Sequence, residues 1–186
     1  MAESATRKNQ VFFIVLLGSV CALGIGFLLK GASIFTPTDP GFQYVFYGIS
    51  GSILLGVLHA DGAKRLIPGI LLLLVAYAVL LKQIRIPMLL IRLSYLLALG
   101  SAVALFHAMY DRFPVKPQIG RFVLLSVFLA AADFILAVLL FGLFRPFPNP
   151  GAMIAAQTFM GLMIGASVGL GFELGRLVSR QIWVLK

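Results

Sequence analysis

The chain has 186 residues, of which 61% are hydrophobic and 11% are charged, and its formal net charge is +9. A mean hydropathy of +1.05 excludes an ordinary soluble domain, because such a domain needs far more polar surface than this sequence supplies. The positive charge does not indicate nucleic acid as a partner. The basic residues lie at the ends of apolar runs, where they orient helices and meet anionic lipid.

Several apolar runs are long enough to cross a hydrocarbon layer roughly 30 Å thick, which takes about 18 or more helical residues. Their glycine, proline and charged boundaries predict six helices. In chain order these helices lie at about 11–29, 42–60, 66–81, 86–110, 119–143 and 152–178. The runs are apolar on every face, whereas the strands of a membrane β-barrel alternate apolar and polar residues. We therefore expect an all-α polytopic membrane protein, a bundle of six transmembrane helices.

This reading divides the chain into a polar N-terminal tail at 1–10, a transmembrane domain at 11–178 and a basic C-terminal tail at 179–186. The third helix is short, roughly 24 Å by helical rise. It could cross with little tilt, use Lys82 as a snorkelling extension, or be partly re-entrant. Cys21 is the only cysteine, which excludes an internal disulfide and a thiolate metal site.

The distribution of Lys and Arg predicts that both termini are cytoplasmic. With the N-terminus inside, four basic residues fall outside: Lys30, Lys82, Arg85 and Arg145. Ten fall inside: Arg7, Lys8, Lys64, Arg65, Arg112, Lys116, Arg121, Arg176, Arg180 and Lys186. This bias follows the positive-inside rule. We expect contact with anionic lipid at the cytoplasmic face, and we expect the membrane to be the inner or plasma membrane of the cell.

One carboxylate, Asp133, lies inside the fifth apolar run, and one guanidinium, Arg92, lies inside the fourth. An unpaired charge at this depth is costly. The two helices are sequential and antiparallel, and an arginine fork can bind both oxygens of a carboxylate. The sequence therefore predicts a buried Arg92–Asp133 ion pair. Its role is either structural or functional, since intramembrane ionisable residues are functional candidates by default.

A second polar set is predicted at the cytoplasmic ends of the helices. His59 and Asp61 end the second helix, His107 and Asp111 end the fourth, and Glu173 lies near the end of the sixth. Two histidines and several carboxylates at one depth could bind a divalent metal or act as a general base. No catalytic motif accompanies them, so capping and interfacial ion pairing are favoured over catalysis, and no metal site is predicted.

Small residues recur every fourth position on two helices, a pattern that lets helix backbones approach closely. The residues are Gly18, Ala22 and Gly26 on the first helix and Gly161, Gly165 and Gly169 on the sixth. Packing within the bundle is favoured, and docking of a protein partner or a second copy is the alternative. Near the outer helix ends, Gln43, Tyr44, Tyr47 and Gln157 could line a ligand pocket.

Three functions fit these patterns. The leading hypothesis is a small-solute transporter, or a transport subunit that works with partner proteins, because small-residue faces and a buried pair occur without a catalytic motif. The second is a membrane enzyme acting on a lipid head group, which needs His59, His107 and Asp111 within reach of one another. The third is an accessory or assembly subunit of a larger complex. No motif indicates a cofactor or a particular solute.

Overall fold

The computed structural model describes residues 2–30, 40–81, 86–110, 112, 122–143 and 150–184. Within these ranges the chain forms six α-helices and no strand, which confirms the all-α prediction. The helices are α1 (Ala2–Lys30), α2 (Pro40–Asp61), α3 (Leu66–Leu81), α4 (Ile86–Met109), α5 (Phe122–Ala137) and α6 (Pro150–Val184). A 3₁₀ turn, Gly62–Arg65, joins α2 to α3, and a π-helical segment, Val138–Leu143, continues α5.

Several helix boundaries differ from the predicted ones. α2 and α6 begin at Pro40 and Pro150, because proline has a suitable φ for the first helical turn and lacks only an N–H that would be unpaired there. α1 already begins at Ala2 and α6 continues to Val184. The described parts of both predicted tails therefore continue the adjoining helices, which the sequence reading did not predict.

α2 and α3 form an antiparallel hairpin about Gly62, which has a φ of 70°, a conformation that glycine adopts without steric cost. Near the turn, a Cβ placed on Gly69 would lie 3.3 Å from Leu54 Cδ2. Farther along, the ring centroids of Phe46 and Tyr77 are 4.9 Å apart. Both contacts join residues at matching distances from the turn, so the two helices run side by side in opposite directions.

The other contacts extend this up-and-down arrangement to the whole bundle. α1 runs antiparallel to α6, since Ile14 and Gly18 of α1 lie against Gly175 and Gly171 of α6, in opposite order along the two helices. α2 and α4 run parallel, since Tyr47 contacts Tyr95 and His59 contacts His107 in the same order along both helices. The start of α1 and the end of α6 therefore lie at the same end of the bundle. We call this the terminal end of the bundle. The opposite end is the distal end, and Arg92 and Asp133 lie in the distal half.

α2 lies at the centre of the bundle, and no side chain from 42 to 60 is exposed. It contacts α1, α3, α4 and α6. Outward faces of the surrounding helices carry large exposed apolar side chains, including Phe12, Leu16, Val20, Phe27, Ile67, Leu72, Val75, Val79, Leu90, Val127 and Ile135. Five helical segments are long and apolar enough to cross a membrane: Lys8–Leu28, Phe42–Leu80, Leu89–Met109, Phe122–Leu140 and Pro150–Gln181. Length and composition thus indicate an integral membrane protein.

The regularly spaced glycines of α6 lie against α5. A Cβ on Gly161 would come within 2.7 Å of the Leu129 carbonyl oxygen, and one on Gly165 within 2.6 Å of Ser126 Cα. A Cβ on Gly169 would lie 2.9 Å from Phe122 Cα. No real side chain tolerates such distances, so these glycines permit backbone contact between the two helices.

The small residues of α1 lie in the same closely packed region. Gly18 contacts Gly171 of α6 and Ser52 of α2, and Ala22 faces Gly48 of α2. Gly26 is buried as well. The small faces of α1 and α6 are therefore occupied by neighbouring helices of the same chain over most of their length.

Candidate functional site

Arg92 lies on α4 in the distal half of the bundle and is half-buried. Its Nη1 donates hydrogen bonds to Gln43 Oε1 at 3.4 Å and to the Tyr47 hydroxyl at 3.5 Å, both on α2. Its guanidinium carbon lies 5.1 Å from the centroid of the Tyr77 ring on α3, which is a cation–π distance. Arg92 thus joins α4 to α2 and α3 through neutral groups.

Asp133 lies on the inner face of α5, and only 4% of its surface is exposed. It borders a cavity of about 10 Å³, which is about the room that one water molecule needs. The other lining residues come from α2, α4, α5 and α6: Tyr47, Tyr95, Leu99, Leu129, Met160 and Ile164. Gly161 makes space for the carboxylate, because a Cβ there would lie 2.7 Å from Asp133 Oδ2.

The predicted Arg92–Asp133 ion pair is not formed, although both residues belong to the described part of the chain. Tyr95, one helical turn farther into the bundle than Arg92, is the α4 residue that shares the cavity with Asp133. Arg92 therefore lies nearer the distal end, by roughly 4.5 Å of helical rise. Tyr47 connects the two sites, since it accepts a hydrogen bond from Arg92 and lines the cavity of Asp133.

The four residues predicted to line an outer ligand pocket have different surroundings in the structure. Gln43 and Tyr47 contact Arg92, and Tyr44 packs against the core from a half-buried position. Gln157 lies on α6 and does not line the cavity of Asp133. Its Oε1 is buried and accepts no hydrogen bond from any other described residue.

At the terminal end, the two histidines come together. The ring centroids of His59 and His107 are 6.0 Å apart in an edge-to-face arrangement, and Phe172 of α6 lies 5.9 Å from His59. His59 Nε2 is hydrogen-bonded to Gln10 Oε1 on α1 at 3.1 Å. α1, α2, α4 and α6 therefore all contribute to this cluster, which brings together two of the three residues that the enzyme hypothesis requires.

A buried carboxylate adjoins the histidine cluster. The Tyr110 hydroxyl donates a 2.7 Å hydrogen bond to Glu173 Oε2, and Glu173 is 1% exposed. The guanidinium carbon of Arg176 lies 4.7 Å from the Tyr110 ring centroid and 5.7 Å from that of Phe172. Glu173 is thus an interior group that connects α6 to the end of α4, not a solvated residue at the membrane interface.

The predicted polar residues that the structure describes do not form a metal centre. Asp61 is exposed and pairs with Arg65 at 3.3 Å, and Asp111 lies outside the described residues. Among the residues that the structure describes, no three His, Cys, Asp or Glu side chains come close enough to hold a metal ion.

Sequence reasoning singled out Tyr44 and Tyr47 but missed Tyr77, Tyr95 and Tyr110. Tyr47, Tyr77, Tyr95 and Tyr110 are all 5% exposed or less, and each contacts a charged group or a cavity described above. A tyrosine inside an apolar run carries a hydroxyl that needs a partner. Tyr77 and Tyr95, well inside their helices, carried that signal in the sequence.

Comparison of the chain with protein-family models, curated proteins and solved structures finds no match.

Proposed function

We propose that the protein is a small-solute transporter, or a transport subunit that works with partner proteins. The observation that carries this proposal is Asp133, a carboxylate that is 4% exposed and borders a cavity between four helices. Ionisable groups that face a cavity inside a membrane bundle typically belong to substrate or ion pathways. Arg92, linked to the same cavity by Tyr47, supplies a charge of opposite sign.

The proposed transmembrane arrangement has six crossings with both termini in the cytoplasm. The segment Phe42–Leu80 has 39 residues, so as one straight helix it would extend roughly 58 Å, about twice the hydrocarbon thickness. Its hairpin about Gly62 instead favours two crossings. The described residues at the terminal end carry many basic side chains, among them Lys8, Lys64, Arg65, Arg112 and Arg180, which supports a cytoplasmic location of that end.

The function can be tested by untargeted uptake into proteoliposomes. Vesicles containing the purified protein are exposed to an isotope-labelled mixture of small metabolites, and retained label is identified by mass spectrometry. We expect at least one solute to be retained by the wild type and lost with Asp133→Asn, which preserves side-chain shape. Ser101→Ala is the matched control, because Ser101 is exposed and bonds only to carbonyls of its own helix, Leu97 and Ala98.

Two results would count against the proposal in different ways. Equal uptake by wild type and Asp133→Asn would remove Asp133 from the transport path. Lack of uptake by the wild type would contradict an autonomous transporter. The alternative, a transport subunit, would then require that the protein show uptake after purification with a stoichiometric partner from native membranes.

A membrane enzyme acting on a lipid head group is the second candidate, favoured by the 6.0 Å separation of the His59 and His107 rings at the terminal end. A paired histidine could serve as a general base near the head-group region. The test is incubation of the protein with native lipid extract, followed by mass spectrometry of the head groups. A product formed by the wild type and abolished by His107→Gln would support the enzyme, and an unchanged lipid profile would contradict it.

A further inference from the structure

Two buried hydrogen-bond donors in the distal half have no acceptor in the part of the chain that the structure describes: Arg92 Nε and the Tyr77 hydroxyl. The Tyr77 side chain is 1% exposed, and its ring lies directly against the Arg92 guanidinium. Leaving a buried donor unbonded costs free energy. The two unbonded donors belong to side chains that contact each other, so an acceptor bound beside this pair would be stabilised.

The acceptors that Arg92 does contact are weak partners for a full positive charge. Both are neutral oxygens, and the distances of 3.4 and 3.5 Å exceed the usual 2.7–3.2 Å range. No described carboxylate forms an ion pair with Arg92. Arg92 is half-buried within an apolar helix, and a cation inside a membrane bundle normally has a compensating partner. The guanidinium presents a planar fork of donors that matches the oxygens of carboxylate or phosphate groups.

We propose that Arg92 and Tyr77 bind an oxyanion, a carboxylate or phosphate group. Gln43 and Tyr47 hold the guanidinium in place from α2, and the anion accepts hydrogen bonds from the guanidinium and the Tyr77 hydroxyl. Asp133, beyond Tyr47, repels an anion from the deeper cavity and so confines it to Arg92. Identification of this anion with a transported solute rests on the proposed function, whereas the binding itself does not.

Binding is measured on the purified protein in maltoside detergent, which contains neither carboxylate nor phosphate. The midpoint of thermal unfolding is followed against sodium acetate, sodium phosphate or dispersed phosphatidylglycerol, with sodium chloride keeping the ionic strength constant. A ligand that binds only the folded protein raises this midpoint as its concentration increases. Arg65→Gln is the matched control, because it removes the same charge from an exposed position at the terminal end.

We expect acetate or phosphate to raise the midpoint of the wild type and of Arg65→Gln, and to have no effect on Arg92→Gln. Tyr77→Phe should weaken binding by roughly tenfold or more, because a hydrogen bond to a charged group is lost. If Arg92→Gln does not fold, Arg92→Lys replaces it. That variant keeps the charge but loses the fork, so weaker binding than in the wild type is expected.

An Arg92-dependent shift with phosphatidylglycerol alone would support the site and identify lipid phosphate as its ligand. The proposal is overturned if none of the three probes shifts the wild type, or if all variants shift equally. Binding in detergent without uptake by proteoliposomes would contradict the transport function and leave the anion site intact. Uptake that depends on Asp133, without any anion binding, would support the transport function and contradict the anion site.

Discussion

The Tyr110 hydroxyl donates a 2.7 Å hydrogen bond to Glu173 Oε2 inside the terminal end of the bundle. Removing the donor with Tyr110→Phe leaves a buried carboxylate oxygen without this bond. We expect the free energy of unfolding to fall by about 1–3 kcal/mol, the usual contribution of a hydrogen bond to a charged group. Unfolding in mixtures of SDS and maltoside, followed by circular dichroism, measures the change.

Tyr77→Phe is the matched control for that measurement, because the Tyr77 hydroxyl is buried and bonds to no other described residue. Without added anion, its removal should leave stability unchanged or slightly higher. A loss for Tyr77→Phe as large as that for Tyr110→Phe would show that the ring environment, and not the bond to Glu173, determines the effect.

The contact between α5 and α6 depends on glycine at 165, where a Cβ would lie 2.6 Å from Ser126 Cα and 2.7 Å from the Leu125 carbonyl oxygen. Both are backbone atoms and cannot rotate away. Gly165→Ala should therefore lower the free energy of unfolding by about 1–3 kcal/mol through overpacking. Gly24→Ala is the comparison, because nothing lies within 4 Å of its Cβ position. It should be neutral or mildly stabilising, since alanine is the better helix former.

The helices and their order could be predicted because length, hydropathy and breakers act locally along the chain. The spacing of Gly161, Gly165 and Gly169 likewise predicted a close helix contact, although not which helix provides it. The identity of a neighbour depends on the lateral arrangement of helices, to which a uniformly apolar sequence gives little guidance.

The Arg92–Asp133 pairing failed for a related physical reason. A sequence determines the depth of a residue along a membrane helix only to about one turn, because the helix ends are not sharply defined. A shift of one turn is enough to place Tyr95, and not Arg92, beside Asp133. An arginine also has several acceptable partners, and here a glutamine, a tyrosine hydroxyl and an aromatic ring surround it. The sequence therefore identified both charged residues but not their contacts.

The carboxylate of Asp133 is expected to lower the free energy of unfolding, because it is buried and makes no hydrogen bond or ion pair with another described residue. Asp133→Asn should leave the free energy of unfolding unchanged or raise it by about 1 kcal/mol, since a neutral amide costs less to bury than a carboxylate. Asp61→Asn, which removes an exposed charge paired with Arg65, should change it by less than about 0.5 kcal/mol. The same unfolding assay applies, and a marked loss with Asp133→Asn would reveal a stabilising role for the carboxylate.

The proposed crossings predict which positions are accessible from each side of the membrane. In a Cys21→Ala background, Lys64→Cys at the turn between α2 and α3 and Arg112→Cys beyond α4 should react with an impermeant maleimide from the cytoplasmic side. Gly151→Cys, exposed at the start of α6, should react only from the opposite side, because α6 runs from the distal end to the terminal end. Labelling is compared in intact cells and inside-out vesicles. If Lys64→Cys reacted from the same side as Gly151→Cys, the α2–α3 hairpin would not cross the membrane twice, and the proposed count of six crossings would fall.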